Sequence, residues 1–403
     1  MFVKFMSILK FRYKRRIIDC IFVLQTKTNL PNIMMKRKYL LLTILSGFIS
    51  LSTLAQESDQ QESNVNLERL YDGLKNPWGM AWLPDGRMLV TERSGEILVF
   101  KNDKFTGLKL AGVPAVVNKG QGGLMDIKLH PDYKKNGWIY ITFSKPVGDL
   151  ASTAVVRFKL KGNQVTDKQD IFEAKPALNA DFHFGSRVVF DKDNYLFVSV
   201  GERGTQPKVL ELDNDHGKVH RIFDDGRIPK DNPFTAQTGA HGSIWTYGHR
   251  NPQGMVYDAT TNRIWEVEHG PKGGDELNLI EKGKNYGWPK ASYGINYDGT
   301  VLTPNKELPG VENPKHYWVP SIGPCGMTIV TSNKYPEWKG NLLVGALAFT
   351  HLNRVVLDGT EYKSEDRMFQ GKGRFRYVAE SPDGFIYAVA EGPGSLFKLV
   401  PKK

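Results

Sequence analysis

The stretch Asp181-Phe-His183-Phe-Gly-Ser-Arg187 runs directly into the apolar segment Val188-Val189-Phe190 and the acidic turn Asp191-Lys-Asp-Asn194. A histidine held at a strand mouth, between two phenylalanines and before a glycine, can meet a ligand. An imidazole ordinarily titrates near neutrality, so His183 is a candidate general base. A hydrogen-bonded structural histidine fits the same position. Four further polar stretches keep it company: Gly120-Gln121-Gly-Gly123, Gly248-His-Arg250-Asn251-Pro-Gln253-Gly254, His269-Gly270-Pro271-Lys-Gly-Gly-Asp275-Glu276 and Arg374-Phe-Arg376. Each lies beside a similar strand pattern, which suggests one shared site.

The arginines constrain what that site would take. Arg250, Arg374 and Arg376, with the amides of Gln121, Asn251 and Gln253, would offer fixed donors to a planar polyanion, because guanidinium forks match carboxylates in two-point contact. Arg374 and Arg376 could equally pair with nearby acids along a strand. The glycine-rich run from His269 to Asn278 can turn sharply and present carbonyls, which hard cations such as Ca²⁺ accept, so Gly270 and Pro271 are candidate metal ligands. A tight loop capped by Asp275 and Glu276 explains the same residues. His130, His216, His220, His241 and His316 show no metal-ligand spacing.

The elements that must position these groups are repeats. An alternating strand, a Pro/Asp/Asn/Gly turn and a second β-branched or aromatic strand recur six times: 79–90, 124–143, 187–200, 254–267, 326–344 and 377–389. Each reads as an antiparallel hairpin, and no stretch sustains helical periodicity. Even repetition of β units in a chain with 40 Gly and 22 Pro predicts an all-β fold, a six-bladed β-propeller over residues 65–403 with about four strands per blade. Loops entering successive inner strands would then converge on one face, gathering Gln121, His183, Arg250 and Arg374.

The chain has 403 residues, 40% of them hydrophobic, and a formal charge of +11. That charge invites nucleic acid or a membrane as partner, but it belongs to the first 55 residues. Ten of the 54 Lys/Arg and one of the 43 Asp/Glu lie there, leaving 44 basic against 42 acidic side chains. No nucleic-acid partner is expected. Met35-Lys-Arg-Lys38, the uncharged run Tyr39 to Leu54 and Thr53-x-Ala55 form the three regions of a secretory signal, so export with cleavage near Ala55 is expected, with Met34 or Met35 as the start. Residues 56–64 are polar and read as a flexible tether. With Cys20 in the leader, Cys325 stands alone and no internal disulfide can form.

Taken together, His183 with Gly185-Ser-Arg187, Gly120-Gln121-Gly122, His249-Arg250-Asn251-Pro-Gln253-Gly254, Glu268-His-Gly270-Pro271, Asn285-Tyr-Gly-Trp-Pro289 and Arg374-Phe-Arg376 resemble the motif set of the soluble PQQ-dependent aldose sugar dehydrogenases, relatives of soluble quinoprotein glucose dehydrogenase. The resemblance runs from Asn76-Pro-Trp-Gly79 to the last repeat. It implies oxidation of an aldose at C1 to a lactone, with His183 taking the anomeric hydroxyl proton and hydride passing to PQQ. It assigns Gln121, Arg250 and Asn251 to the quinone, Arg250 also to charge developing on it, Arg374 and Arg376 to the cofactor carboxylates, and the Gly270 and Pro271 carbonyls to Ca²⁺. Ala348 stands where the glucose enzyme has a lysine, with His351 or water as substitutes. Phe182 stands where that enzyme has an aspartate that orients the base, with Asp181 as the candidate replacement, so glucose selectivity is not implied. An electron acceptor is required but not named by the sequence, which also leaves monomer and homodimer open. The competing readings are a Ca²⁺-dependent propeller lactonase, expected to carry carboxylate ligands at its centre, and a non-catalytic propeller that binds glycans or proteins.

Overall fold

The computed structural model describes residues 64–402 apart from 393. The expected leader, with both candidate start residues and the expected cleavage site, and residues 56–63 of the expected tether lie outside the described residues. What is described is nearly all β: six four-stranded antiparallel sheets, with one α-helical turn, Tyr133–Asn136, closed by Gly137 at φ 71°. No described helix is long and apolar enough to cross a membrane. The six inner strands are Pro77–Trp82, Leu124–Leu129, Val188–Phe190, Pro252–Asp258, Pro324–Ile329 and Arg374–Glu380. Each packs against the next and the sixth returns to the first. The fold is a six-bladed β-propeller, and its blades, numbered here in chain order, begin on the six repeats seen in the sequence.

One strand was not anticipated as a blade partner. Val65–Asp72 pairs antiparallel with Ser395–Pro401, so the start of the domain supplies the outermost strand of blade 6. This hydrogen-bonded join closes the ring without leaving Ser395–Pro401 as an unpaired edge. Between blades the wedge is filled by aliphatic and aromatic side chains. Ala81, Leu89 and Ile97 of blade 1, for example, share a core with Ile127, Ile141 and Phe158 of blade 2.

Five of the six inner strands carry a bulge at the same place. The register slips between Pro77 and Met80, Leu124 and Ile127, Pro252 and Gly254, Pro324 and Met327, and Phe375 and Tyr377. A bulge releases its residues from the ladder and turns the strand mouth. The released residues are Trp78, Asp126, Gln253, Cys325 and Arg376 among others, and they meet along the axis. Arg376 Nη1 donates to Gln253 Oε1 at 2.9 Å and lies 3.4 Å from Cys325 Sγ. Arg187 of blade 3 is fully buried between the rings of Trp78 and Tyr377, at 3.9 and 4.6 Å. It donates to Asp126 Oδ1 at 2.9 Å and to the Gln253 carbonyl at 3.1 Å. Glycine permits this approach: a Cβ at Gly326 would sit 2.0 Å from Tyr377 Cδ2, and one at Gly254 2.3 Å from the Cys325 carbonyl.

Candidate functional site

His183 lies in the loop that leads into the inner strand of blade 3. Its backbone takes the left-handed conformation, φ 54°, which an L-residue adopts only when its surroundings hold it there. Three contacts do so. The His183 N–H donates to Gln121 Oε1 at 2.9 Å, the Gln121 N–H donates to the Asp181 carbonyl at 2.7 Å, and the loop lies flat on Gly201. A Cβ at Gly201 would stand 2.0 Å from the His183 carbonyl. Gly201→Ala is therefore expected to push the imidazole out of place and cut turnover by about a hundredfold, the usual result of a misplacement near 1 Å. Unchanged turnover at an unchanged thermal midpoint would disprove this.

The partner of the imidazole is Glu202, whose Oε1 accepts from Nδ1. Nε2 is left for a substrate, with no protein partner among the described residues. The sequence reading put Asp181 in the orienting role, and the structure corrects it. Asp181 engages Gln121 through its carbonyl, whereas Glu202, nineteen residues after the histidine in the blade 3 loop, reaches the ring. Phe182 stands edge-on to the imidazole, with centroids 4.7 Å apart, and is 38% exposed. Burial pushes the His183 pKa down, Glu202 opposes that, and the Arg250 charge adds to the lowering.

Arg250 reaches the same place from the loop before blade 4. Its carbonyl accepts the Glu202 N–H at 2.8 Å, so the imidazole, its carboxylate partner and this arginine form one unit. The Arg250 and Asn251 N–H groups donate to Glu268 Oε2 at 2.5 and 3.2 Å. Arg250 Nη1 donates to the carbonyls of His269 and Gly270 at 3.0 and 2.7 Å, above the Trp288 ring at 5.1 Å. Asn251 Oδ1 accepts from Gly185 N–H at 3.2 Å and from Gln253 Nε2 at 3.3 Å. Gly270 and Pro271 follow on the adjoining loop, both buried. There the Gly270 N–H donates to Asp275 Oδ1 at 2.8 Å, while Asp275 Oδ2 accepts from Gly323 at 2.7 Å. Burial pushes the Asp275 pKa up to about 6. These bonds hold the loop tightly, with the Gly270 carbonyl facing the arginine.

The two C-terminal arginines differ. Arg376 is buried and engaged: Nη2 pairs with Glu391 at 2.8 Å while Nη1 holds Gln253. Arg374 is half-exposed, 3.7 Å from Glu391, and donates to the Leu347 carbonyl at 3.1 Å. Burial alone would raise the Glu391 carboxyl, but Arg376, Arg374 and Arg93 hold it below its usual value. Gln253, read as a ligand donor, is instead a brace between Arg376, Asn251 and Gly185. His351 is fully buried.

Whether these residues suit a flat polycarboxylate can be tested on the donors left over. Arg250 Nε, Asn251 Nδ2 and Arg93 Nε are buried without a hydrogen-bond partner. Such orphans are costly unless a ligand or water meets them. Donors without partners and a half-open guanidinium fit an anionic ligand.

Sequence reasoning missed Glu202, Glu268, Glu391 and Arg93. A carboxylate at or just past a strand end, as in Val200-Gly-Glu202, Val267-Glu268-His and Ala390-Glu391-Gly, was the signal for the three acids. Behind Arg250 the buried Glu266 and Glu268 come together with His249, their ligand atoms within 4.8 Å of one another. Asn278 Nδ2 bridges the two carboxylates at 3.0 and 3.2 Å, and burial with the Glu268 charge raises the Glu266 pKa well above normal.

Comparison with known proteins then places the chain. The model of the Glucose / Sorbosone dehydrogenase family matches residues 74–398. The chain belongs to this family. Among its relatives, the aldose sugar dehydrogenase YliI of Escherichia coli is 41% identical over 349 residues, covering 84% of this chain and 94% of that protein. The apo-form structure of the soluble aldose sugar dehydrogenase from Escherichia coli superposes with a TM-score of 0.81, covering 84% of this chain and 99% of that one. The PQQ-bound form of the Streptomyces coelicolor aldose sugar dehydrogenase is 28% identical with a TM-score of 0.68, covering 83% and 98%. The family's propeller is the one described above.

Proposed function

We propose that this chain is an exported PQQ- and Ca²⁺-dependent dehydrogenase that oxidises aldoses at C1 to lactones. The observation that carries the reading is the unit made by His183, Glu202 and Arg250 at one mouth of the propeller, beside buried donors that lack partners. Arg250, Asn251 and Gln121 would hold the quinone end of the cofactor and Arg374 its carboxylates; a calcium ion would take the Pro271 carbonyl and the remaining lone pair of the Gly270 carbonyl, whose other lone pair accepts from Arg250 Nη1. Arg376 is committed to Glu391 and Gln253, so its contribution is the positive charge it keeps at the base of the site. Bound PQQ supplies the acceptor for the hydride that leaves C1, with Ca²⁺ as Lewis acid.

The chain's own part is proton transfer and orientation. Glu202 fixes the tautomer with the proton on Nδ1, so Nε2 is the basic atom that takes the anomeric hydroxyl proton. Glu202 then faces the imidazolium and stabilises it. The Arg250 guanidinium supplies fixed positive charge where negative charge develops, with no reorganisation at the moment of reaction. Phe182 forms an apolar wall beside the base, so selectivity for the sugar rests on shape there rather than on a carboxylate. Reduced cofactor would pass its electrons to a separate acceptor, and the amino-terminal signal would deliver the enzyme to the periplasm.

The test is reconstitution of the purified protein with PQQ and Ca²⁺ and dye reduction across a panel of aldoses. Activity no higher than the cofactor-free control would overturn the proposal. The lowered His183 pKa also sets a pH dependence. The base works in its neutral form, so turnover should be full at neutral pH and fall as pH drops through that lowered pKa. Glu202→Gln removes the charge that raises the value, so the acid limb of the pH–rate profile should move to lower pH while the plateau falls. An acid limb that moved upward would contradict the assignment.

A further inference from the structure

At the opposite end of the inner strands, the seam where blade 6 meets blade 1 holds a groove of about 530 Å³, within the size range of small-molecule sites. Two rings form its inner corner. Trp82, half-buried at the end of the blade 1 inner strand, and Tyr387 of blade 6 have centroids 5.4 Å apart and planes inclined at 58°. Over them stands Asp103, at a hairpin tip where Asn102 and Asp103 both adopt left-handed backbone, φ 50° and 63°. Its carboxylate is fixed from two sides. Oδ1 accepts from the Tyr387 hydroxyl and Oδ2 from Lys398 Nζ, each at 2.8 Å. Lys398 Nζ also lies 4.3 Å from the Phe385 centroid.

The fold does not need these residue types. The blade 1 hairpin around Leu83-Pro-Asp-Gly86 and the blade 6 hairpin around Ser381-Pro-Asp-Gly384 are copies of one repeat, and Tyr387 occupies the position that Leu89 fills in blade 1. By the same bulge-anchored register Trp82 corresponds to Leu129 of blade 2. At the neighbouring seam, between blades 1 and 2, aliphatic side chains at these positions close the wedge. At this seam they are replaced by two aromatic rings and an oriented carboxylate.

From this we infer a second ligand site, one that binds a pyranose ring, most simply the sugar unit of an oligosaccharide. An angled pair of aromatic faces offers a dispersion surface to the C–H face of a sugar. A carboxylate held rigid by Tyr387 and Lys398 retains lone pairs for vicinal hydroxyls. Competing ligands fit less well. The Asp103 charge is already balanced by Lys398, so this carboxylate offers a metal ion no uncompensated charge, and the charged rim of Lys101, Lys134 and Asp383 disfavours a lipid chain. Beyond Trp82 and Pro382 the groove continues into an axial opening of about 330 Å³ flanked by Lys128, Tyr377 and Glu380, so a chain of more than one ring has room. The site lies at the other end of the propeller from His183 and would hold a saccharide that is not undergoing oxidation.

The experiment uses ¹⁹F NMR of the protein labelled with 5-fluorotryptophan. The chain has eight tryptophans, and the Trp82 resonance is the one missing from Trp82→Leu. Maltotriose and cellotriose are the probes. At least one should shift the Trp82 resonance saturably, and Tyr387→Leu should weaken that binding at least tenfold while kcat and KM for a monosaccharide stay unchanged. Both substitutions install residues that the fold already uses at these positions, so folding should survive, and circular dichroism checks it. A Trp82 resonance that never saturates with either probe overturns the inference, as does one that titrates equally in Tyr387→Leu. The readout is local to the groove, so its failure is distinct from a failure of cofactor reconstitution.

Discussion

His183→Ala is expected to lower turnover by about a hundredfold or more while leaving cofactor affinity within a few-fold of the parent, as for loss of a general base. The reason lies in the division of labour. His183 contacts Gln121 through its backbone and Glu202 through its ring, and none of the unpartnered donors at the site belongs to it. Alanine keeps the backbone contact and removes only the proton acceptor. Because the position is left-handed, His183→Asn is the matching control, since asparagine tolerates that conformation. Rapid-reaction reduction of the loaded protein measures the chemical step directly, and cofactor titration measures binding. Turnover near the parent value in both variants would show that another group takes the proton.

Arg187→Ala carries the largest expected cost in stability, about 3–5 kcal/mol, the usual result of stripping one partner from a buried ion pair. Arg187 and Asp126 are both fully buried, and Asp126 also accepts from the Val188 N–H at 3.1 Å. Removing the guanidinium leaves a carboxylate without its cation between two aromatic rings that lose their filler. A urea unfolding curve should show a clearly lower midpoint. The double variant Arg187→Met with Asp126→Asn should recover part of the loss, because it abandons both charges together. If the double variant were as unstable as the sum of the singles, packing rather than charge would be the origin.

The propeller was legible because hairpins with Pro-Asp-Gly turns repeat, and alternation exposes each strand. The convergence of Gln121, His183, Arg250 and Asn251 was legible for a related reason: all stand at entrances of inner strands, and a closed ring sends those entrances to one end. Glu202 was not. Its identity as the imidazole's partner depends on a loop folding back over Gly201, and an acid nineteen residues away carries no periodic mark. Asp181 looked the better candidate only because it is close in sequence. Arg376 and Gln253 are harder to read from sequence for a different reason. Both sit in bulges, where a residue leaves the alternation, and their side chains turn to each other rather than outward. The pairing of Val65–Asp72 with the last strand was hidden as well, since nothing local ties a strand to a partner at the other end of the domain.

That pairing also limits how the chain can be processed. A cut a few residues past Val65 would strip hydrogen bonds from Ser395–Pro401 and leave a raw border on which a second molecule could dock. Trimming would then yield not merely a shorter enzyme but one prone to self-association.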